Sequence, residues 1–165
     1  MADFSIRLEG DTRRLLKKMK DFSELDKKKV NAVSGQVVRE STLERFKQSR
    51  DPAGKLWKTS KRAAESGGKT LVETATLRNS IHVHSDASGF AVGTNLKYAA
   101  THQFGDPGRV IRARKAKALR FQIGGKWISK KSVRIKIPAR TYLGLSDDDQ
   151  QEIKGTVEDF IARED

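Results

Sequence analysis

Three groups of residues in this chain of 165 have types and spacings that could do chemistry. Ser66-Gly67-Gly68-Lys69-Thr70 ends like a phosphate loop, where glycine amides cradle phosphate oxygens and a lysine reaches them. The full pattern needs an earlier glycine where Ala63 stands, and no strand leads into it, so a glycine-rich loop is the plainer reading. His82 and His84 lie two apart and share one face of any strand, where they could hold a metal with His102 or Asp86. Polar side chains on an exposed strand are the plainer reading here too. The chain has no cysteine, which removes thiolate metal sites, disulfides and cysteine nucleophiles. It has no Gly-x-Ser-x-Gly elbow, and its acids gather at helix termini. No catalytic residue, no cofactor and no metal is assigned, and no enzyme is expected.

The third group is the bases. Residues 107–146 hold twelve Lys and Arg and no acid, whereas residues 147–165 hold eight acids against two bases. A stretch this long without a carboxylate points to contact with polyanion or with an acidic protein surface. The candidate contacts are Lys55, Trp57, Arg112, Arg114, Lys115, Lys117, Lys126, Lys130, Lys131, Arg134 and Lys136. Phe121 and Trp127 could stack on bases, but their phase in the apolar alternation directs both toward a core. The acidic C-terminal stretch offers a complementary patch to the next copy of the chain.

The elements that must position these groups follow from periodicity. Phe4, Ile6 and Leu8 alternate as a short strand, and a helix capped by Asp11 runs to about Lys20. A longer helix over about 24–48, with a capping signal at Ser23 and Asp26, carries Val30, Val33, Val37 and Phe46 as its apolar stripe. Asp51-Pro52-Ala53-Gly54 stops it. Residues 49–70 have no apolar period and read as a long mobile loop anchored by Trp57. A helical turn follows near 71–80. A hairpin over about 81–94 turns at Ala87-Ser88-Gly89, and Tyr98–Phe104 forms one or two helical turns. A second, basic hairpin turns at Gly124-Gly125, and a further strand over Val133, Ile135 and Ile137 stops at Pro138. Ser146 followed by three aspartates starts a last helix carrying Ile153, Val157, Phe160 and Ile161. The class is α+β, with N-terminal helices and a C-terminal helix packed on a small, mainly antiparallel sheet in one domain. No apolar run approaches a membrane span and the N-terminus does not read as a signal peptide, so a soluble protein is expected.

Several segments resemble one family. Gly54-Lys55-Leu56-Trp57, the run from Leu71 to Ile81, Val92-Gly93-Thr94-Asn95, and Tyr98 with His102-Gln103-Phe104-Gly105 occur in that family's order, followed by Ile137-Pro138-Ala139-Arg140-Thr141-Tyr142-Leu143-Gly144. Together they resemble the phage virion morphogenesis family. Glu73, Ala75 and Thr141 stand where that family usually has Asp, Gly and Pro, and residues 107–137 look like a basic hairpin insertion. The resemblance implies a virion structural protein at the neck or tail end. It would be a tail-completion subunit in a homo-oligomeric ring, a hexamer favoured, that joins head to tail around the DNA channel. It would be assembled in the host bacterial cytoplasm. Its neighbours would be connector, neck, tail-terminator or tube proteins, with packaged duplex DNA in the lumen. Tyr98, His102, Gln103, Phe104, Gly105, Pro138, Arg140, Tyr142 and Leu143 read as fold determinants, with Arg140 in a salt bridge. The second reading is a nucleic-acid-binding module using residues 107–146; a small hydrolase or toxin-like enzyme is a distant third.

Overall fold

The computed structural model describes residues 17, 20, 26–114, 116–123 and 125–163. The strand expected at 4–8, most of the helix expected at 11–20, the Ser23 cap, Lys115 and Gly124 lie outside the described residues.

Helix α1 (Lys27–Gln48) begins at Asp26, whose carboxylate accepts from the Lys29 amide at 3.0 Å. Its buried residues are Val30, Ser34, Gly35, Val38, Thr42, Arg45 and Phe46. The stripe was expected to run through Val33 and Val37, but Val33 is 39% exposed. The reason is close packing against a hairpin made of β1 (His82–Ser85) and β2 (Phe90–Gly93). A Cβ at Gly35 would stand 2.4 Å from Val83 Cγ1, so the face that meets the sheet is made of small residues rather than valines. Asn31 Nδ2 donates to the Asp86 carbonyl in the hairpin turn at 2.8 Å, and Arg39 Nε to the Ile81 carbonyl at 2.8 Å. The Asp86 carboxylate accepts from the Ser88 hydroxyl and from the Ser88 and Gly89 amides. The Ser88 bonds, the largest influence, hold its pKa below the ordinary value.

The segment read as a loop, 49–70, has structure of its own. Ser49 ends α1 in the left-handed region. The turn at Asp51–Gly54 returns the chain so that the Trp57 amide donates to the Ser49 carbonyl at 2.8 Å. Helix α2 (Lys61–Ser66) follows, and Gly67, at φ 69°, closes it. The would-be phosphate loop is therefore a helix end, with Thr70 buried and accepting from the Ser60 amide at 3.1 Å. Helix α3 (Thr76–Asn79) starts after Ala75, which takes φ 58° where a glycine was expected to make the turn.

Helix α4 (Ala99–Phe104) leads into a two-stranded arm. Strand β3 (Asp106–Arg112) pairs antiparallel with β6 (Ser132–Ile137), and β4 (Leu119–Ile123) with β5 (Lys126–Lys130). Among the described residues the small antiparallel sheet is thus three two-stranded ladders. Helix α5 (Asp147–Arg163) closes the chain and packs on α1. Its start is a reciprocal cap: the Asp149 amide donates to Ser146 Oγ at 3.2 Å and the Ser146 amide to Asp149 Oδ2 at 2.8 Å. Phe46, Trp57, Leu77, Ile81, Ala99 and Tyr142 form the core. Among the described residues no helix is long and apolar enough to cross a membrane.

Candidate functional site

Residues 139–144 belong to no helix or strand, so their backbone groups must find partners elsewhere. Side chains from several elements supply them. Gln103 of α4 acts like a strand edge: its Nε2 donates to the Leu143 carbonyl at 2.8 Å, and its Oε1 accepts from the Tyr142 and Leu143 amides at 2.9 and 3.1 Å. The Trp57 indole donates to the Thr141 carbonyl at 2.9 Å, and the Arg140 amide to the His102 carbonyl at 2.8 Å. Arg45 Nη1 donates to the carbonyls of Tyr142 at 3.3 Å and Gly144 at 2.7 Å, while its Nη2 reaches Ser41 and pairs with Asp149. Phe46 meets the ring of Trp57 edge-on at 5.6 Å and that of Tyr142 at 5.2 Å. Gly105, at φ 78°, allows the closest approach: a Cβ there would lie 2.7 Å from the Ala139 amide nitrogen.

The residues expected as fold determinants lie in and around this hub. Gln103, Gly105, Arg140, Tyr142 and Leu143 are tied into it. Among the described residues Arg140 enters no salt bridge; it is buried and its Nε donates to the Lys58 carbonyl at 2.8 Å. Phe104 does not pack inward, being 78% exposed, because the turn at Gly105 directs it away from the core. Tyr98 is also exposed and meets the His102 ring edge-on at 5.9 Å. His102 Nδ1 is buried with no hydrogen-bond partner among the described residues, and burial, followed by the Arg140 charge, holds its pKa below the ordinary value. Trp57, expected as a partner contact, is buried in the hub, whereas Lys55 is exposed.

Asp149 and Arg45, 104 residues apart, were missed by sequence reasoning. Ser146 followed three residues later by an acid is the one local signal that Asp149 faces inward. Burial alone would raise its pKa, but the Ser146 amide, the Ser41 and Ser146 hydroxyls and Arg45 outweigh it and hold the carboxyl below its ordinary value.

The arm is the second region. β5 and β6 are separated by Lys131 alone, and the Ala113 amide donates to the Lys131 carbonyl at 3.0 Å. β3 and β4 therefore pair with successive halves of one run, which spans about 40 Å at ~3.3 Å per residue. At the root, Ile111, Val133, Ile135 and Ile137 share one face, while Arg112, Arg134 and Lys136 project from the other. A register shift between Asp106 and Arg109, over Pro107-Gly108, marks where the arm leaves the body. Arg114, Lys117, Lys126, Lys130 and Lys131 are exposed along the bend and tip. Strand β3 was not anticipated, because Pro107-Gly108 and adjacent Val110-Ile111 hide its alternation.

Register also corrects the tip. With Ile123 opposite Lys126, Gln122 faces Trp127 and Phe121 faces Ile128. Trp127 therefore lies on the polar face, 68% exposed, and is not directed to the core. The Arg120 guanidinium stands 5.6 Å over its ring. His82 and His84 are exposed on β1, and no group of three potential metal ligands is assembled among the described residues.

The model of the phage virion morphogenesis family matches residues 7–162. A curated relative, the Mu-like prophage FluMu G protein 2 of Haemophilus influenzae, is 33% identical over 94 residues, which is 57% of this chain. The chain spans about half of that relative, 53% of its length. No solved structure matches.

Proposed function

The chain belongs to the phage virion morphogenesis family, and from that premise we propose that it is a neck or tail-completion subunit working in a ring, a hexamer favoured. Its partners in this reading are other copies of itself and the rings stacked above and below, with duplex DNA passing through the lumen. The observation that carries the reading is the division of the chain into a body locked by buried polar bonds and a basic arm extending from it. A ring subunit needs both. The body repeats without change, and the arm reaches a neighbour or the channel. Shape and charge then suffice for the work, without turnover. The reading places the protein in the virion after assembly in the host cytoplasm.

Light scattering on the purified protein at low and moderate salt tests this. A discrete oligomer, six copies in the favoured case, is expected. A second reading, nucleic-acid binding by the arm, is favoured by the exposure of Trp127 beside Arg120. A persistent monomer whose duplex affinity falls steeply with salt would transfer the function to that reading.

A further inference from the structure

The arm's charge is largely unanswered among the described residues. Among the described residues its ion pair is Arg109 with Asp106 at 3.1 Å, at the root. Arg120 and Lys126 at the tip pair with no carboxylate among the described residues, and Trp127 and Ile123 lie 68% and 49% exposed. A two-stranded ribbon is marginally stable in water by itself. Tryptophan and arginine are also among the residue types enriched at the energetic centres of interfaces.

The body carries a matching hollow. A cleft of about 870 Å³ opens between α1 and α5, beside the Asp51–Gly54 turn. Val37 and Leu43 contribute apolar surface, and Glu40, Asp148 and Glu152 contribute carboxylates with no ion pair among the described residues. Six carboxylates line it against four bases, so its net charge is negative, and each base already has a partner. Arg45 is held by Asp149, Lys47 by Glu44 at 2.8 Å, Arg50 by the Gly54 carbonyl and Arg78 by Asn79 Oδ1. The cleft is therefore an acidic rim with apolar walls, and the tip presents Trp127 with Arg120 over its ring on one face and Lys126 at the turn on the other.

We propose that the arm tip of one copy, through Trp127, Arg120 and Lys126, seats in the α1–α5 cleft of the next copy. This inference rests on the ring reading and names the contact that closes the ring. Arm and cleft are different patches, so the contact runs head to tail and repeats until the rotation closes. Opposite charge sets its orientation and register.

Two charge-reversed full-length chains test it by sedimentation and light scattering. One carries Arg120→Glu with Lys126→Glu, and the other Asp148→Lys with Glu152→Lys. Each alone repels its own kind, so self-association is expected to weaken by roughly tenfold or more. An equimolar mixture is expected to regain it, because the acidic arm then meets the basic cleft and the basic arm meets the acidic one. Thermal unfolding matched to the unaltered chain excludes misfolding as the cause of a loss. An oligomer indifferent to both reversals overturns the docking and leaves the ring standing. A monomer in every mixture overturns docking and ring together. Loss of duplex binding on arm reversal, with association unchanged, reassigns the tip to nucleic acid and overturns the docking.

Discussion

Residues 139–144 and the arm that precedes them adjoin in sequence and treat polarity in opposite ways. In the first, carbonyls and amides are matched to side chains drawn from α1, α4 and the 49–60 segment: Arg45, Gln103, Trp57. In the second, the backbone pairs with itself and the charged side chains extend into solvent. A buried polar group without a partner costs about 1–3 kcal/mol, whereas an exposed charge costs almost nothing to keep or to remove. The body is therefore the place where single substitutions change folding, and the arm the place where they leave it nearly unchanged.

Asp149→Ala should break this contrast most severely on the body's side. It strands the Arg45 guanidinium, buried with it, and removes the reciprocal cap of α5. A loss of about 3–5 kcal/mol is expected in chemical denaturation, the cost of opening one side of a buried pair. Replacing both partners by apolar residues of similar volume should recover much of it. The same carboxylate makes the body acid-labile. Its folded pKa is depressed below the ordinary 3.8, so its contribution is complete above that value and is lost as pH falls through the folded pKa. Denaturation midpoints measured from pH 6 to pH 2 should fall in that acid range, and Asp149→Ala should flatten the fall.

Gln103→Leu comes next. It leaves the Tyr142 and Leu143 amides and the Leu143 carbonyl without partners, at a cost of about 2–3 kcal/mol. Gln103→Glu, which keeps one acceptor, should lose less in the same urea titration. Ala75→Gly runs the other way. Alanine at φ 58° carries roughly 1–2 kcal/mol of left-handed strain, partly offset by the extra freedom glycine has when unfolded. A net gain of about 0.5–1 kcal/mol is expected, read as a raised melting temperature.

At the small end, Lys130→Ser with Lys136→Ser in the arm should shift stability by no more than about 0.5 kcal/mol. A larger change would show the arm to be part of the body's folding unit and would erase the comparison.

Much of this division was legible from periodicity. The long helix, the β1–β2 hairpin, the basic hairpin and the aspartate-led last helix each carry their pattern within a few consecutive residues. What was hidden depends on distance or on register. Arg45 and Asp149 are joined only by the fold. Trp57 sits in an unpatterned segment and is drawn inward by the turn at Asp51–Gly54, which no apolar period announces. Trp127 changes face because two turn residues set which strand position it opposes. Val33 lost its expected place because Gly35 lets the sheet approach more closely.

Gly105 has a consequence for the ring proposed above. It stands where helix α4 ends and the arm begins, and its bare α-carbon lets the backbone at 137–139 close against it. The angle at which each arm departs is thereby inherited from the body rather than left to a loose joint. In a closed ring every arm would then tilt alike, like the blades of an iris, and the aperture would be set by one glycine per blade.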